Sequence, residues 1–113
     1  ILIAADCWDG IPAHGRYGQL LTEASSLDSL LERIRTPGFA MQDMWQAQIH
    51  ALICTKASVH FYSDNLTDDQ IRQGFMEPCR DIGARVRDIL KELGGNVRIC
   101  VLPEGPQTIP YVS

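Results

Sequence analysis

The 113 residues predict an α/β fold, a small parallel sheet with helices packed on it in a three-layer, Rossmann-like arrangement. Three observations point there. Short apolar runs at residues 1–5, 59–62 and 97–102 have the length and composition of strands. The segments between them carry helical periodicity and are long enough for the crossovers that parallel pairing requires. A content of 45% hydrophobic and 21% charged residues supplies a packed core and excludes a disordered chain.

The first run, Ile1-Leu2-Ile3-Ala4-Ala5, shows no polar alternation, the pattern of a strand covered on both faces. It ends at Asp6-Cys7-Trp8-Asp9-Gly10, and the glycines and proline of residues 10–18 predict a loop. Leu27, Leu30, Leu31 and Ile34 fall on one helical face; Ser25 or Ser26 caps the start, and Thr36-Pro37-Gly38 stops it. A second helix is expected over about 42–56. Its apolar residues run nearly all the way round, so it should be largely buried.

Val59-His60-Phe61-Tyr62 reads as the next strand and Asp64-Asn65 as its closing turn. Thr67-Asp68-Asp69-Gln70 fits a capping box opening a short helix that ends at Gly74. From Pro78 a longer helix follows, with Ile82, Val86, Ile89, Leu90 and Leu93 as its stripe and Gly94-Gly95 as its cap. Residues 97–102 are the expected third buried strand, stopped by Pro103, before an extended tail.

The length suits a single domain over residues 1–113. A start inside a strand predicts a piece of a longer protein, whose remainder covers a sheet edge that is otherwise open to pairing between copies. A net charge of −4 argues against a nucleic-acid surface, and no apolar run approaches the ~20 residues that cross a bilayer. Cys7, Cys54, Cys79 and Cys100 form no Cys-x-x-Cys pair. Cys54 and Cys100 sit in apolar runs as small hydrophobes, so reduced thiols and a cytoplasmic location are expected.

Ligands of parallel sheets gather beyond the strand carboxyl ends. Asp9, Asp64 and Glu104 occupy loops there and could hold a cation or act as acid and base, or could simply build turns. His50 and Cys54 stand four apart on one helix, a spacing that suits a metal and that helix neighbours also reach by default. His14 lies in the glycine-rich loop, and His60 in a strand. Trp45, beside Gln46 and Gln48, is either a pocket wall or a core anchor. No phosphate-binding glycine pattern and no Gly-x-Ser-x-Gly is present. On these residues alone, a non-catalytic binding or interaction module stands beside a fragment of an enzyme.

The run Ile1 to Gly10 (ILIAADCWDG), Asp43-Met44-Trp45-Gln46, Val59-His60-Phe61-Tyr62-Ser63-Asp64 and the strand and turn of 97–105 follow in order. Together they resemble the C-terminal domain of the nickel-dependent lactate racemases and related 2-hydroxy-acid racemases and epimerases. The resemblance implies a two-domain enzyme with the active site between domains and a nickel pincer nucleotide bound by the N-terminal domain, none on this part. The substrate C–H is not acidic, so such a cofactor serves as hydride acceptor while histidines handle the hydroxyl proton. The resemblance places the cofactor-tethering lysine, the nickel-binding histidine and the acid/base histidines in the N-terminal domain. It likewise implies a substrate-holding Gln and Lys shortly before the strand that opens this chain. No catalytic residue is carried onto this chain. Trp45 matches a pocket-lining position, and Asp9 is the loop acid expected to join it in binding a small hydroxy-acid substrate. Residues 11–18 depart from the family's shorter glycine-rich loop, which leaves larger hydroxy acids or sugar acids as candidate substrates.

Overall fold

The computed structural model describes residues 1–11, 15–94 and 96–108, and the chain divides into two compact units, Ile1–Ile82 and Gly83–Ser113. The first unit holds the sheet. Strands β1 (Leu2–Ala4), β2 (His60–Tyr62) and β3 (Glu77–Pro78) lie in that order, all parallel. Leu2 faces His60 and Ala4 faces Tyr62 in one pair, and His60 faces Glu77 in the other. The parallel sheet is the one the sequence predicts. Its third strand is not. Residues 97–102 form no strand and stand exposed apart from half-buried Val97. The place beside β2 belongs instead to Glu77 and Pro78, a pair too short and too polar to register as a strand pattern. Pro78 lacks an N–H and so fits an edge.

Helices α1 (Tyr17–Glu23), α2 (Leu27–Arg35) and α3 (Met44–Cys54) connect β1 to β2, and α4 (Asp68–Gln73) connects β2 to β3. The crossover helices carry their own core. Leu20 and Leu21 of α1, Leu30, Leu31 and Ile34 of α2, and Ala47 and Ala51 of α3 form one buried cluster. Helix α1 falls partly inside the segment read as a loop, because its single apolar pair, Leu20-Leu21, is too little for a periodic signal. Helix α3 is not the all-round buried helix expected. Only its alanines are buried, whereas Trp45, Ile49 and Ile53 are 61%, 51% and 44% exposed. Strand β1 likewise lies at an edge rather than covered on both faces, with Ile1 and Ile3 exposed. Both corrections have one cause. The helices bury their apolar residues against each other, leaving one α3 face and one sheet edge unused.

Local signals are honoured closely. Ser26 caps α2 by accepting from Ser29 N–H, and Ser29 Oγ accepts from Ser26 N–H in return. Thr67 and Gln70 make the same reciprocal box on α4, whose first turn carries Asp68 and Asp69 at the positive end of the helix. Helix α4 ends in a Schellman motif: Met76 N–H donates to Ile71 O and Phe75 N–H to Arg72 O. The left-handed residue of that motif is Phe75, at φ 57°, rather than a glycine. Its ring packs on the helical core, which accounts for a bulky residue in a conformation that disfavours it.

In the second unit, α5 (Ile82–Leu93, whose first residue closes the first unit) starts four residues after Pro78 and ends at Gly94 with φ 82°. Val86, Ile89 and Leu90 of its apolar stripe are half-buried. A one-turn 3-10 helix, Gly105–Gln107, follows. No helix among the described residues is long and apolar enough to cross a membrane. Replacing Thr67 by Ala should lower stability by about 1 kcal/mol, read from urea unfolding, because it removes the acceptor for Gln70 N–H and half of the box.

Candidate functional site

The carboxyl ends of β1 and β2 are bound to each other. Ser63, fully buried, donates from Oγ to Asp6 O at 2.8 Å. Asn65 Nδ2 donates to Asp6 Oδ1 at 2.7 Å and to Asp6 O at 2.9 Å. Arg80, two residues beyond β3, grips the same loop. Its guanidinium donates to Ser63 O at 2.8 Å and Leu66 O at 3.0 Å and pairs with Asp68. A planar five-donor fork suits this convergence, and a lysine could not reproduce it. Asp64 accepts from Tyr62 Oη at 2.9 Å, and this bond raises the Tyr62 pKa.

Asp9 is exposed at the third position of a turn closed by Gly10 N–H on Cys7 O, Asp64 is held by Tyr62, and Glu104 is exposed in the second unit. Because residues 97–102 are not a strand, Glu104 does not stand at a strand end. Among the described residues no three of His, Cys, Asp and Glu gather as a metal site. All four cysteines are free, Cys79 buried and Cys100 exposed, so Cys100 is not the buried hydrophobe its sequence context suggests.

The more developed surface lies between α1 and α3. Asp43 sits in a left-handed conformation (φ 65°) and points its carboxylate back to accept Arg16 N–H at 2.9 Å. It thereby joins the start of α3 to the start of α1. Gly15 makes room for it: a Cβ there would lie 2.3 Å from Asp43 Oδ2, and φ is 92°. Two residues on, Trp45 projects from the first turn of α3 and lines an open cleft of about 350 Å³ with Tyr17, Gln46, Ile49, His50 and Ile53. Tyr17 also forms one wall of a second, mainly apolar hollow of about 190 Å³ that reaches Gly10, Phe61 and Gln70. Trp45 is thus exposed at the rim of this cleft and is not a core anchor. Asp9 lines neither hollow.

Beneath Trp45 runs a short polar chain. His50 Nε2 lies 2.6 Å from Gly74 O, an acceptor only, so Nε2 carries the proton and donates. Nδ1 is then an acceptor, and Tyr17 Oη donates to it at 2.9 Å with the two rings edge to face. Burial pushes the Tyr17 hydroxyl up to about 12, and the charge of an ionised Cys54 would add to that shift. Cys54 Sγ lies 3.6 Å from His50 Nε2, and burial raises its thiol pKa too. Both ring nitrogens of His50 are committed, so the His50–Cys54 spacing reflects helix packing and not a metal pair. The Tyr17–His50 link joins residues 33 apart and left no local signal. His60, buried on β2, has Nδ1 3.2 Å from Glu77 Oε2, close enough for an ion pair but without hydrogen-bond alignment. His14 lies outside the described residues.

These donors do not fit a nickel pincer nucleotide. Lys56 and Lys91 are the only lysines of the sequence, and among the described residues no three of His, Cys, Asp and Glu gather to hold the metal.

By fold this is a small parallel α/β domain with an exposed tryptophan beside an open cleft. The chain belongs to the lactate racemase C-terminal domain family, whose model matches residues 1–109. It is 28% identical over 111 residues to a lactate racemase of Thermoanaerobacterium thermosaccharolyticum, covering 96% of this chain and 26% of the relative. A lactate racemase of Lactiplantibacillus plantarum is also 28% identical, over 106 residues, 93% of this chain and 25% of the relative. The structure of the lactate racemase apoprotein from T. thermosaccharolyticum superposes with a TM-score of 0.81 at 26% identity, over 96% of this chain and 26% of that one. The chain thus spans about a quarter of the length of these relatives.

Two outcomes follow for the α1–α3 surface. Stability should fall as pH rises from about 10 to about 12, because the unfolded Tyr17 ionises first and the folded one resists. Tyr17→Phe should remove that part of the slope, checked by urea unfolding at successive pH values. Gly15→Ala should cost roughly 1–3 kcal/mol through the clash with Asp43 and the positive φ, read as a lowered unfolding midpoint.

Proposed function

We propose that this chain is the C-terminal domain of a 2-hydroxy-acid racemase or epimerase of the lactate racemase type. It closes over a cleft whose reactive groups, including a nickel pincer nucleotide, belong to the polypeptide preceding it. The observation that carries this reading is Trp45, 61% exposed on a helix start fastened by Asp43 and Arg16, at the rim of an open cleft. Support comes from the family match and from the chain's coverage of a quarter of its relatives.

In this reading the residues of the chain bind and exclude water. The Trp45 indole offers an apolar wall to the carbon skeleton of a small hydroxy acid and displaces solvent from it. The Gln46 amide stands in the same cleft as a hydrogen-bonding group, and Asp9, exposed on the β1 loop, is the acid available to a hydroxyl-rich substrate. The cofactor, when bound to its own domain, supplies hydride chemistry. This chain moves no proton at a reacting atom. A cytoplasmic location goes with this reading.

In the full-length protein loaded with cofactor, Trp45→Ala should lower kcat/KM for the interconversion of D- and L-lactate by about tenfold, the worth of one aromatic wall. Trp45→Phe should recover most of it. Chiral chromatography of the product gives the measurement, and an unchanged kcat/KM in Trp45→Ala would remove Trp45 from the pocket. The chain of residues 1–113 alone should not racemise lactate.

A further inference from the structure

We propose that the outward face of α3 is an interdomain docking surface, and that its occupant is the polypeptide that precedes Ile1 in the longer protein. The proposal rests on the reading that this chain is one part of a longer enzyme, and it assigns the face through which that part is held.

The observation is a helix with no charge. Met44–Cys54 contains no Asp, Glu, Lys or Arg. Its inner face is spent on Ala47 and Ala51, both at 0% exposure, and its outer face presents Trp45, Ile49 and Ile53. These three fall at i, i+4 and i+8, one continuous ridge along a helix about 16 Å long. A surface helix ordinarily turns charged residues outward. The other helices of this chain do so: α2 exposes Asp28, Glu32 and Arg35, and α5 exposes Arg87, Asp88, Lys91 and Glu92. A contiguous apolar face without charges is the mark of an interaction site, not of a solvated surface.

The comparisons select the occupant. The matching model is a C-terminal domain, and the chain covers 26% of a relative, so most of the relative's length lies on the N-terminal side. A covalently attached partner acts at an effective concentration of about millimolar, which a second copy of the chain must exceed to compete. Trp45 stands at one end of the ridge and shares the cleft with Ile49 and Ile53, so docking along the ridge would wall that cleft on its open side.

The test uses the full-length protein with a benzophenone amino acid in place of Ile49. Ultraviolet irradiation followed by peptide mass spectrometry should give cross-links within one molecule, from position 49 to peptides preceding Ile1. Cross-links only between isotopically distinct copies, or none to that region, would overturn the proposal. In parallel, Ile53→Glu should raise amide exchange of residues 44–54 by about tenfold through loss of the apolar contact, whereas Glu32→Gln on α2 should not change it. Equal exchange in Ile53→Glu and the parent protein would also overturn it. Neither readout depends on turnover. A molecule that cross-links as stated and does not racemise lactate sinks the proposed reaction and keeps the docking face.

Discussion

The rest of the structure depends on α3 packing through two alanines. Ala47 and Ala51 have no side-chain bulk beyond Cβ, so α3 lies close against α1 and α2 and shares their leucine core. Dense interior packing lets few other residues stand there. The larger residues of α3 are turned outward as a consequence, and Trp45, Ile49 and Ile53 become surface. The same close approach brings His50 within reach of both Tyr17 and Gly74 O, and Asp43 within reach of Arg16 N–H. The tryptophan is therefore held by a helix fastened at its first turn and again near its middle. A side chain that shapes a pocket needs that kind of backing.

The loops at the strand ends are spent on structure. Asp6, Ser63 and Asn65 hydrogen-bond one another across β1 and β2, and Arg80 ties the chain from Ser63 to Asp68 into one rigid arc. Unpaired backbone carbonyls at a buried loop cost free energy, and the guanidinium removes that cost at two of them. Asp64 is used in the same manner on Tyr62. Carboxylates at the ligand-binding end of a parallel sheet invite a catalytic reading, and here Asp6 and Asp64 are engaged by partners within the chain.

A domain that lines a cleft without carrying the reacting groups is consistent with these choices. Most of the strand-end polar groups described above are hydrogen-bonded within the chain, its described cysteines are free, and Trp45, Ile49 and Ile53 of α3 are among its exposed apolar residues. Such a part gains function from what lies across from it. That accords with a chain spanning a quarter of its lactate racemase relatives.

What the sequence alone determined is local. A serine cap at Ser25 or Ser26, the box at Thr67–Gln70, the left-handed end at Gly94, the periodicity of α2 and α5, and strands near 1–5 and 59–62 in a parallel sheet were all legible. Each is written in side chains within one or two turns of each other, or in an apolar run with its flanking breakers. The tertiary structure decided the remainder. Whether the apolar run at 97–102 pairs, whether Glu77-Pro78 becomes a strand, which way α3 turns its ridge and whom His50 meets are settled by distant partners. A hydrophobic pattern states that a residue is apolar, and only the arrangement of neighbouring elements settles which apolar residues have something to be buried against.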